Sequence, residues 1–284
     1  MNKPVMSFEF FPPRNEAQSR RFWRTLGCLE TLSPSFFSVT YGALGSGSQA
    51  SVDTVRQLQK DSLSPVAAHL TCAGQTRADL QKQLAEFKQM GIKRIVALRG
   101  DAAENVVDNK YYHLKYGSEL VELIAETGGF DVSVAAYPEV HPEAPSAEHD
   151  MNVLKHKLDA GASRALTQFF FEPEVFLRWR DAAVKSGIDK PLIPGILPVH
   201  DINKVIDFSK RCGASVPTSL IELFNSATST ESRHQRAIEH CVDLCQTLQH
   251  EGVHDFHLYT LNQSSLSYDV SCELLGVPNS MIAA

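Results

Sequence analysis

The chain has 284 residues, and 43% of them are hydrophobic, which is enough to bury one large core. A formal net charge of −6 argues against nucleic acid or an anionic membrane surface as the main partner. No apolar run approaches the roughly 18 residues that span a bilayer, and no signal-peptide pattern opens the chain. We therefore expect a cytoplasmic protein with neither nucleic-acid nor membrane partners.

Short apolar runs alternate with amphipathic stretches along the whole chain. Several runs are apolar on both faces, which is typical of parallel strands packed inside a barrel and covered by helices outside. The predicted strands are residues 6–11, 36–41, 66–70, 94–98, 132–136, 165–170, 192–196 and 255–259. Because no Pro/Gly/Ser-rich linker divides them, the pattern predicts one domain over residues 1–284, a closed α/β barrel of the (β/α)8 or TIM type. An open doubly wound sheet is the alternative.

Helical patterns with marked ends lie between the strands. Capping residues and glycines predict helices within residues 76–91, 146–161 and 173–187. Thr76 followed by Asp79 is typical of an N-terminal cap, and a proline begins the third of these helices. The helices therefore supply the outer layer that a parallel barrel requires.

The six cysteines are scattered through the chain, which suits reduced thiols better than a disulfide framework. Cys241 and Cys245 stand four apart on a predicted helix, beside His240, so a metal site is one interpretation. No second pair of ligands follows at zinc-type spacing. Buried, inert thiols are therefore favoured, and we predict no metal.

Polar residues concentrate at the C-terminal ends of the predicted strands. In an α/β barrel that rim holds the active site, because the loops after the strands converge there. Strand ends are also simply where a chain returns to water, so any one of these residues alone indicates little. Six successive strands that each deliver a polar group favour an enzyme. The residues are Glu9, Thr40, Tyr41, His69, Arg99, Gly100, Asp101, Tyr137, Glu139, His141 and Gln168.

Glu9 is the most informative of these residues. It is flanked by Phe8 and Phe10 in a run where apolar side chains dominate both faces. Burial inside a barrel would raise its pKa from about 4.3, and a carboxyl that stays protonated near neutral pH can act as a general acid. A strand-end glutamate paired with an arginine is the alternative.

A possible anion-binding segment follows the strand at residues 94–98. Gly100 allows a close approach of the backbone to a ligand, and Arg99 offers a planar fork for phosphate or carboxylate. Neither a GxGxxG fingerprint nor a Walker-type loop is present. Any dinucleotide must therefore be held by the rim loops and helix N-termini.

Eight short motifs occur in a fixed order along the chain. They are SFEFFPP at 7–13, SVTYGA at 38–43, AHLT at 68–71, VALRGD at 96–101, AAYPEVHPEA at 135–144, TQFFF at 167–171, PGILP at 194–198 and YTLN at 259–262. Together they resemble the methylenetetrahydrofolate reductase family over almost the full chain. Their order and spacing argue against a chance match.

The resemblance implies a barrel that binds FAD non-covalently across its C-terminal face. It implies that 5,10-methylenetetrahydrofolate is reduced to 5-methyltetrahydrofolate, which feeds methionine synthesis. NADH or NADPH and the folate would take turns against one flavin face, in a ping-pong sequence. A homo-oligomer is also expected.

The resemblance assigns roles to individual residues. Glu9 matches the general acid that opens the folate ring, and Asp101 would bond the pterin and keep negative charge near the flavin. Thr40, Gln168 and Phe208 would bind the nicotinamide or the folate. The positions that match FAD contacts are Tyr41, Ala43, His69, Arg99, Gly100, Asp101, Tyr116, Gly117, Tyr137, His141, Ala144, Asp150 and Lys157.

Three residues depart from the family pattern. Gln263 replaces an arginine after the last motif, which would weaken a contact to the folate's glutamate carboxylate. Lys204 replaces a glutamine one turn before Phe208 and could restore that positive charge, and His156 stands where a permanent cation is common. Two other functions stay open: another FAD-dependent barrel of the proline-dehydrogenase type, and a folate- or flavin-binding protein without catalysis.

Overall fold

The computed structural model describes residues 3–42, 48–100 and 114–279, and within them parallel strands and helices alternate. Each strand pairs with the next in the chain, and β1 also pairs with β8, so the sheet closes on itself. The predicted barrel is confirmed, and the open doubly wound sheet is wrong. The strands are β1 (Val5–Phe10), β2 (Phe36–Val39), β3 (Val66–Thr71), β4 (Arg94–Leu98), β5 (Asp131–Ala136), β6 (Arg164–Phe169), β7 (Leu192–Ile196) and β8 (Asp255–Tyr259).

Helices separate the strands and form the outer layer. In the part of the chain that the structure describes, each of the first six strands is followed by one helix, whereas three helices connect β7 to β8. They are α1 (Glu16–Glu30), α2 (Ser48–Asp61), α3 (Arg77–Gln89), α4 (Gly117–Thr127), α5 (Ala147–Asp159), α6 (Pro173–Lys185), α7 (Ile202–Cys212), α8 (Thr218–Asn225), α9 (Thr230–His250) and α10 (Ser265–Leu275). In the described segments, no helix combines the length and the apolar character needed to cross a bilayer.

The strands pack against two separate apolar layers. The outer faces, which include Phe8 and Phe10, join the large core beneath the helices. A smaller cluster fills the inside of the barrel and includes Phe36, Val96 and Ile193. Because side chains fill the inside of such a barrel, we expect a ligand site at the C-terminal ends of the strands.

The predicted helix ends are confirmed. Thr76 caps α3 in a capping box, in which its side chain accepts from the Asp79 N–H and the Asp79 carboxylate accepts from the Thr76 N–H. Ser146 caps α5 by accepting from the His149 N–H, and Pro173 occupies the first turn of α6. These ends were predictable because capping depends on residues close in the chain.

Three strands end before their predicted limits, and the sixth strand ends at Phe169 rather than one residue later. The predicted first strand reaches Phe11, but the Phe11 N–H donates to the Asn262 side-chain oxygen at 2.9 Å and its carbonyl accepts from the Asn262 amide at 2.8 Å. The backbone of Phe11 is therefore satisfied by a side chain rather than by a neighbouring strand. The second strand ends at Val39 rather than Tyr41, because the chain turns at Gly42, where φ is +63°.

The cysteines on α9 are buried, as predicted. Cys241 and Cys245 are at most 1% exposed and unpaired. Burial raises the pKa of Cys241 to about 12 and that of Cys245 well above its usual range. Such thiols stay protonated and are poor nucleophiles and metal ligands at neutral pH.

Candidate active site

A cavity of about 520 Å³ lies at the C-terminal mouth of the barrel. The loops after several strands line it, so residues that are distant in the chain meet there. Of the predicted site residues, the cavity is lined by Glu9, Thr40, Tyr41, His69, Gly100, Tyr137, Gln168 and Phe208. A second cavity of about 530 Å³ lies near the N-terminal ends of β7 and β8 and contains none of the predicted residues.

Glu9 projects into the mouth cavity beside two buried histidines. Its Oε2 lies 3.4 Å from Nε2 of His69 and 3.5 Å from Nε2 of His257. The side chains of His69 and His257 are 4% and 0% exposed, and that of Glu9 is 14% exposed. Three titratable groups therefore share one small, nearly dry volume that opens only toward the cavity.

The prediction that apolar surroundings raise the pKa of Glu9 is wrong. Burial does raise it, but the interactions with His69 and His257 lower it by more, so the pKa of Glu9 is lowered overall. The neighbouring phenylalanines face the outer core, whereas Glu9 faces polar groups inside the barrel. Burial lowers the pKa of His69 to about 4, so His69 is a neutral imidazole near neutral pH.

The sequence analysis missed Ser7 and His257, which extend the polar cluster from Glu9 toward the barrel floor. Ser7 Oγ lies 2.7 Å from Nδ1 of His257, and both residues are buried. They stand opposite each other where β1 pairs with β8. A usable signal existed, because Ser7 and Glu9 alternate with apolar residues in β1 as His257 and Tyr259 do in β8.

Tyr259 is a further cavity residue that the sequence analysis left without a role. Its hydroxyl donates to the Thr167 carbonyl at 2.7 Å, and burial, followed by the charge of Glu9, raises its pKa well above the usual range. Gly195 makes this contact possible, because a Cβ there would lie 2.1 Å from the Thr167 carbonyl oxygen and 2.7 Å from the Tyr259 ring.

The three residues predicted to bind substrates lie on different walls of the cavity. The Gln168 side-chain oxygen accepts from the Phe169 N–H at 3.1 Å, which leaves its amide group to face a ligand. The Phe208 ring stacks on Phe169 with centroids 5.5 Å apart. Thr40 Oγ1 is buried without a hydrogen-bond partner in the described part of the chain.

A basic edge adjoins the cavity and contains several of the other predicted residues. Arg99 pairs with Glu143 at 2.6 Å, and Lys157 Nζ donates to the Ala135 carbonyl at 2.6 Å. Burial lowers the pKa of Lys157 to about 8. Gly117 packs against both residues, since a Cβ on it would be 3.5 Å from Lys157 Cδ and 3.7 Å from the Arg99 backbone nitrogen.

The loop after β5 closes this edge. Tyr137 and His141 pack with ring centroids 4.5 Å apart, and the His141 N–H donates to the Asp150 carboxylate at 3.0 Å. The Ala144 N–H donates to the His141 carbonyl at 2.9 Å, whereas Tyr116, just before α4, is 54% exposed. The predicted residues Ala43 and Asp101 lie outside the described residues.

The three departures from the family pattern lie on or near the surface. Lys204 is 86% exposed, with Nζ 3.7 Å from Asp201 Oδ2. The Gln263 N–H donates to the Thr260 carbonyl at 2.9 Å, and His156 is exposed on α5. None of their side chains lines the mouth cavity.

A closed (β/α)8 barrel whose mouth joins a buried acid–base cluster to a basic edge has the features of an enzyme site that binds an anionic ligand. The family model described as methylenetetrahydrofolate reductase matches residues 1–275. The chain therefore belongs to the methylenetetrahydrofolate reductase family.

Curated relatives agree with this assignment. The chain is 43% identical over 279 residues to 5,10-methylenetetrahydrofolate reductase of Buchnera aphidicola from Acyrthosiphon pisum, covering 97% of this chain and 93% of that protein. It is 42% identical over 274 residues to the Escherichia coli enzyme of the same name, covering 96% and 90%. Among solved structures, a Clostridium thermocellum protein described as binding two copies of 5-methyl-5,6,7,8-tetrahydrofolic acid shares the fold, with a TM-score of 0.65, 14% identity and coverage of 96% and 94%.

Proposed function

We propose that the protein reduces 5,10-methylenetetrahydrofolate to 5-methyltetrahydrofolate, with non-covalently bound FAD and with NADH or NADPH as the hydride donor. The observation that carries the proposal is Glu9, a carboxyl that faces the mouth cavity and is connected to His257 and Ser7 behind it. The named activity of the relatives supports the same reaction.

The residues at the mouth fit a flavin dinucleotide. Gly100 has a φ of +84°, and a Cβ on it would lie 3.0 Å from Thr71, so backbone rather than a side chain faces a ligand there. Nδ1 of His69 is buried without a hydrogen-bond partner in the described segments, whereas Nε2 faces Glu9, and the unused Nδ1 supports a role in ligand contact. Arg99 and Lys157 would hold the diphosphate. FAD, when bound, supplies the capacity to accept a hydride from one substrate and give it to the other.

Glu9 would supply the proton that the folate requires. The five-membered ring opens when a ring nitrogen is protonated and its bond to the methylene carbon breaks, which leaves an electrophilic iminium carbon that accepts hydride. A proton donor must therefore lie beside the pterin, and Glu9 is the carboxyl among the described residues that line the cavity.

The histidine pair would control when Glu9 holds a proton. In the free protein the pKa of Glu9 is lowered, so the carboxylate dominates. A pterin that covers the 14% exposed side chain removes its remaining water, which favours the neutral acid. Ser7 Oγ lies 2.7 Å from Nδ1 of His257, and Nε2 of His257 lies 3.5 Å from Glu9, so this pair would hold the carboxyl in place beside the substrate.

The two substrates would use the cavity in turn. Gln168 offers one side-chain amide, and Phe208 offers one ring, to whichever substrate is present. A single cavity of about 520 Å³ favours alternate rather than simultaneous occupation by the nicotinamide and the pterin. A place before methionine synthesis, a cytoplasmic location and a homo-oligomeric state stay predictions.

Purified protein tests this function in two stages. We expect a yellow protein whose flavin absorbance bleaches on anaerobic addition of NADH or NADPH and returns when methylenetetrahydrofolate is added. A colourless protein that takes up no FAD would overturn the proposal. Bleaching without recovery would favour another FAD-dependent barrel, and folate binding without any reduction would favour a binding protein.

A further inference from the structure

We propose that Arg211, near the C-terminal end of α7, binds the carboxylates of the acidic tail of the folate substrate. The inference rests on the proposed function and concerns the outer end of the same site. A folate carries a pterin at one end and a benzoyl-linked glutamate at the other. If the pterin lies over Glu9, the glutamate must leave through the mouth of the cavity.

Arg211 is anchored on a cavity residue. The central carbon of its guanidinium lies 5.7 Å from the ring centroid of Phe208, which is within the range of a cation–π contact. Phe208 lines the cavity, and Arg211 itself is exposed. The pair therefore presents an aromatic ring beside a planar cation, and a benzoyl group followed by carboxylates has the complementary chemistry.

The helix places a second cation on the same side. Lys204, Phe208 and Arg211 are four and three residues apart, so they share one face of α7. Lys204 is 86% exposed, and its Nζ lies 3.7 Å from Asp201 Oδ2. Cations therefore stand on both sides of Phe208, and an acidic tail passing this ring would meet one of them in either direction.

Arg211 is also free of the carboxylates that neutralise its neighbours. Lys210 Nζ lies 4.0 Å from Asp207 Oδ1, whereas Arg211 makes no ion pair within residues 3–42, 48–100 and 114–279. In a chain of net charge −6, an unneutralised guanidinium at a site entrance is a specific local attraction for an anion.

The end of α7 is fixed relative to the cavity. Gly213 follows the helix with a φ of +71°, and a Cβ on it would lie 2.8 Å from the Pro142 ring. The Ser215 N–H donates to the Glu139 carboxylate at 3.0 Å. The close approach of Gly213 to Pro142 and the hydrogen bond of Ser215 both hold the end of α7 against the loop after β5. Arg211 therefore has a defined position beside the mouth.

Helix electrostatics offer a different reason for a cation at this place. A positive charge near a helix C-terminus stabilises the helix, and Lys210 and Arg211 share that position. Lys210 is therefore a matched control, because it has the same helix-end effect but pairs with Asp207, whereas the cation over the Phe208 ring is Arg211.

The test compares R211Q, K204Q and K210Q with the unaltered holoenzyme. The substrates are methylenetetrahydrofolate with one or three glutamates and the corresponding methylenetetrahydropteroate, which has no glutamate. For R211Q we expect KM for both folates to rise about tenfold, so that the preference over the pteroate is lost. K204Q should mainly reduce the advantage of three glutamates over one, and K210Q should match the unaltered protein.

Thermal unfolding of each variant separates binding from helix stability. Equal KM values in R211Q and K210Q, or an equal rise for folate and pteroate in R211Q, would overturn the proposal. Loss of preference together with an unchanged midpoint of unfolding supports it. If the unaltered holoenzyme reduced no folate at all, the proposed function would fail instead, and that result is distinct from either outcome.

Discussion

Glu9 illustrates how chemistry at a single residue depends on neighbours in space rather than in sequence. Its chain neighbours are phenylalanines, which suggested a raised pKa. Its spatial neighbours are His69 and His257, at 3.4 and 3.5 Å, and they lower the pKa of Glu9 instead. The residue fits a proton-transfer role in both descriptions, but only the structure identifies the polar groups that surround its carboxyl.

Replacement of Glu9 by glutamine should separate the two half-reactions. The amide keeps the shape of the side chain but carries no transferable acid proton. We expect flavin reduction by NADH to persist, while reoxidation by methylenetetrahydrofolate slows by at least about 100-fold, the lower range for a lost general acid. Stopped-flow absorbance of the bound flavin measures both rates. An equal decrease in both half-reactions would make Glu9 a structural residue.

A site residue could be predicted from the sequence where it is a polar residue at the end of an apolar run, because that position alone marks the end of a strand. Glu9, His69 and Gln168 follow this rule, and each lines the cavity. His257 could not be assigned in the same way, because its role depends on its partner across the β1–β8 pairing. That pairing joins residues about 250 positions apart and requires barrel closure to be known first.

At the scale of one helix, α3 allows a clean test of capping. The Thr76 side chain accepts from the Asp79 N–H, and the Asp79 carboxylate accepts from the Thr76 N–H at 3.2 Å. Thr76→Ala should lower the free energy of unfolding by about 1 kcal/mol, because the first turn loses a backbone partner. Urea denaturation should give a lower midpoint with an unchanged slope, and Thr76→Ser should retain most of the stability. A full effect in the serine variant would point to lost packing rather than a lost cap.

Substitution by alanine should change the free energy of unfolding in opposite directions at two glycines. A Cβ at Gly195 would lie 2.1 Å from the Thr167 carbonyl oxygen, where only the backbone could move away. Gly195→Ala should therefore cost at least about 3 kcal/mol of stability or prevent folding. Gly27 lies within α1 with nothing within 4 Å of a Cβ, so Gly27→Ala should stabilise by about 0.5–1 kcal/mol. Denaturant midpoints of the two variants test this pair, and a neutral Gly195→Ala would contradict the described register of β6 and β7.

Strand positions and helix ends were largely predictable at this scale, but the ends of several strands were not. Apolar runs and capping residues act over a few positions, so they locate elements well. The end of β1 at Phe10 depends instead on the Asn262 side chain, which occupies both backbone groups of Phe11. No local pattern near Phe11 contains that information.

At the scale of the whole molecule, the closed barrel follows from the count and regularity of the strands. Its electrostatics are less predictable, because a net charge of −6 does not reveal where the cations collect. Arg99 and Lys157 adjoin one edge of the mouth, although they come from different strand and helix segments. A basic edge on an acidic protein is therefore a product of the fold rather than of composition.

The buried Lys157 should give the protein a measurable pH dependence of stability. Its pKa falls from 10.5 to about 8 on folding, so the unfolded chain binds more protons between these values. The contribution of Lys157 to the free energy of unfolding should therefore rise with pH from about 8 to 10.5. The raised pKa of Cys241 makes stability fall with pH, but it does so equally in the unaltered protein and in Lys157→Met. The difference between their free energies of unfolding, measured as a function of pH, therefore isolates the contribution of Lys157.

Affinity for FAD should depend on the same residue with the opposite sign. A diphosphate favours the charged ammonium, which the free protein loses above a pKa of about 8. The Kd for FAD, measured by quenching of flavin fluorescence, should rise with pH above that value and level off about tenfold higher, once the lysine is neutral in both the free and the bound protein. Lys157→Met should bind FAD about tenfold more weakly near neutral pH and show a flatter pH dependence, because Arg99 stays charged throughout. If the two proteins gave parallel curves of Kd against pH, Lys157 would not contact the phosphates. Its ammonium would then act as the hydrogen-bond donor to the Ala135 carbonyl without binding FAD.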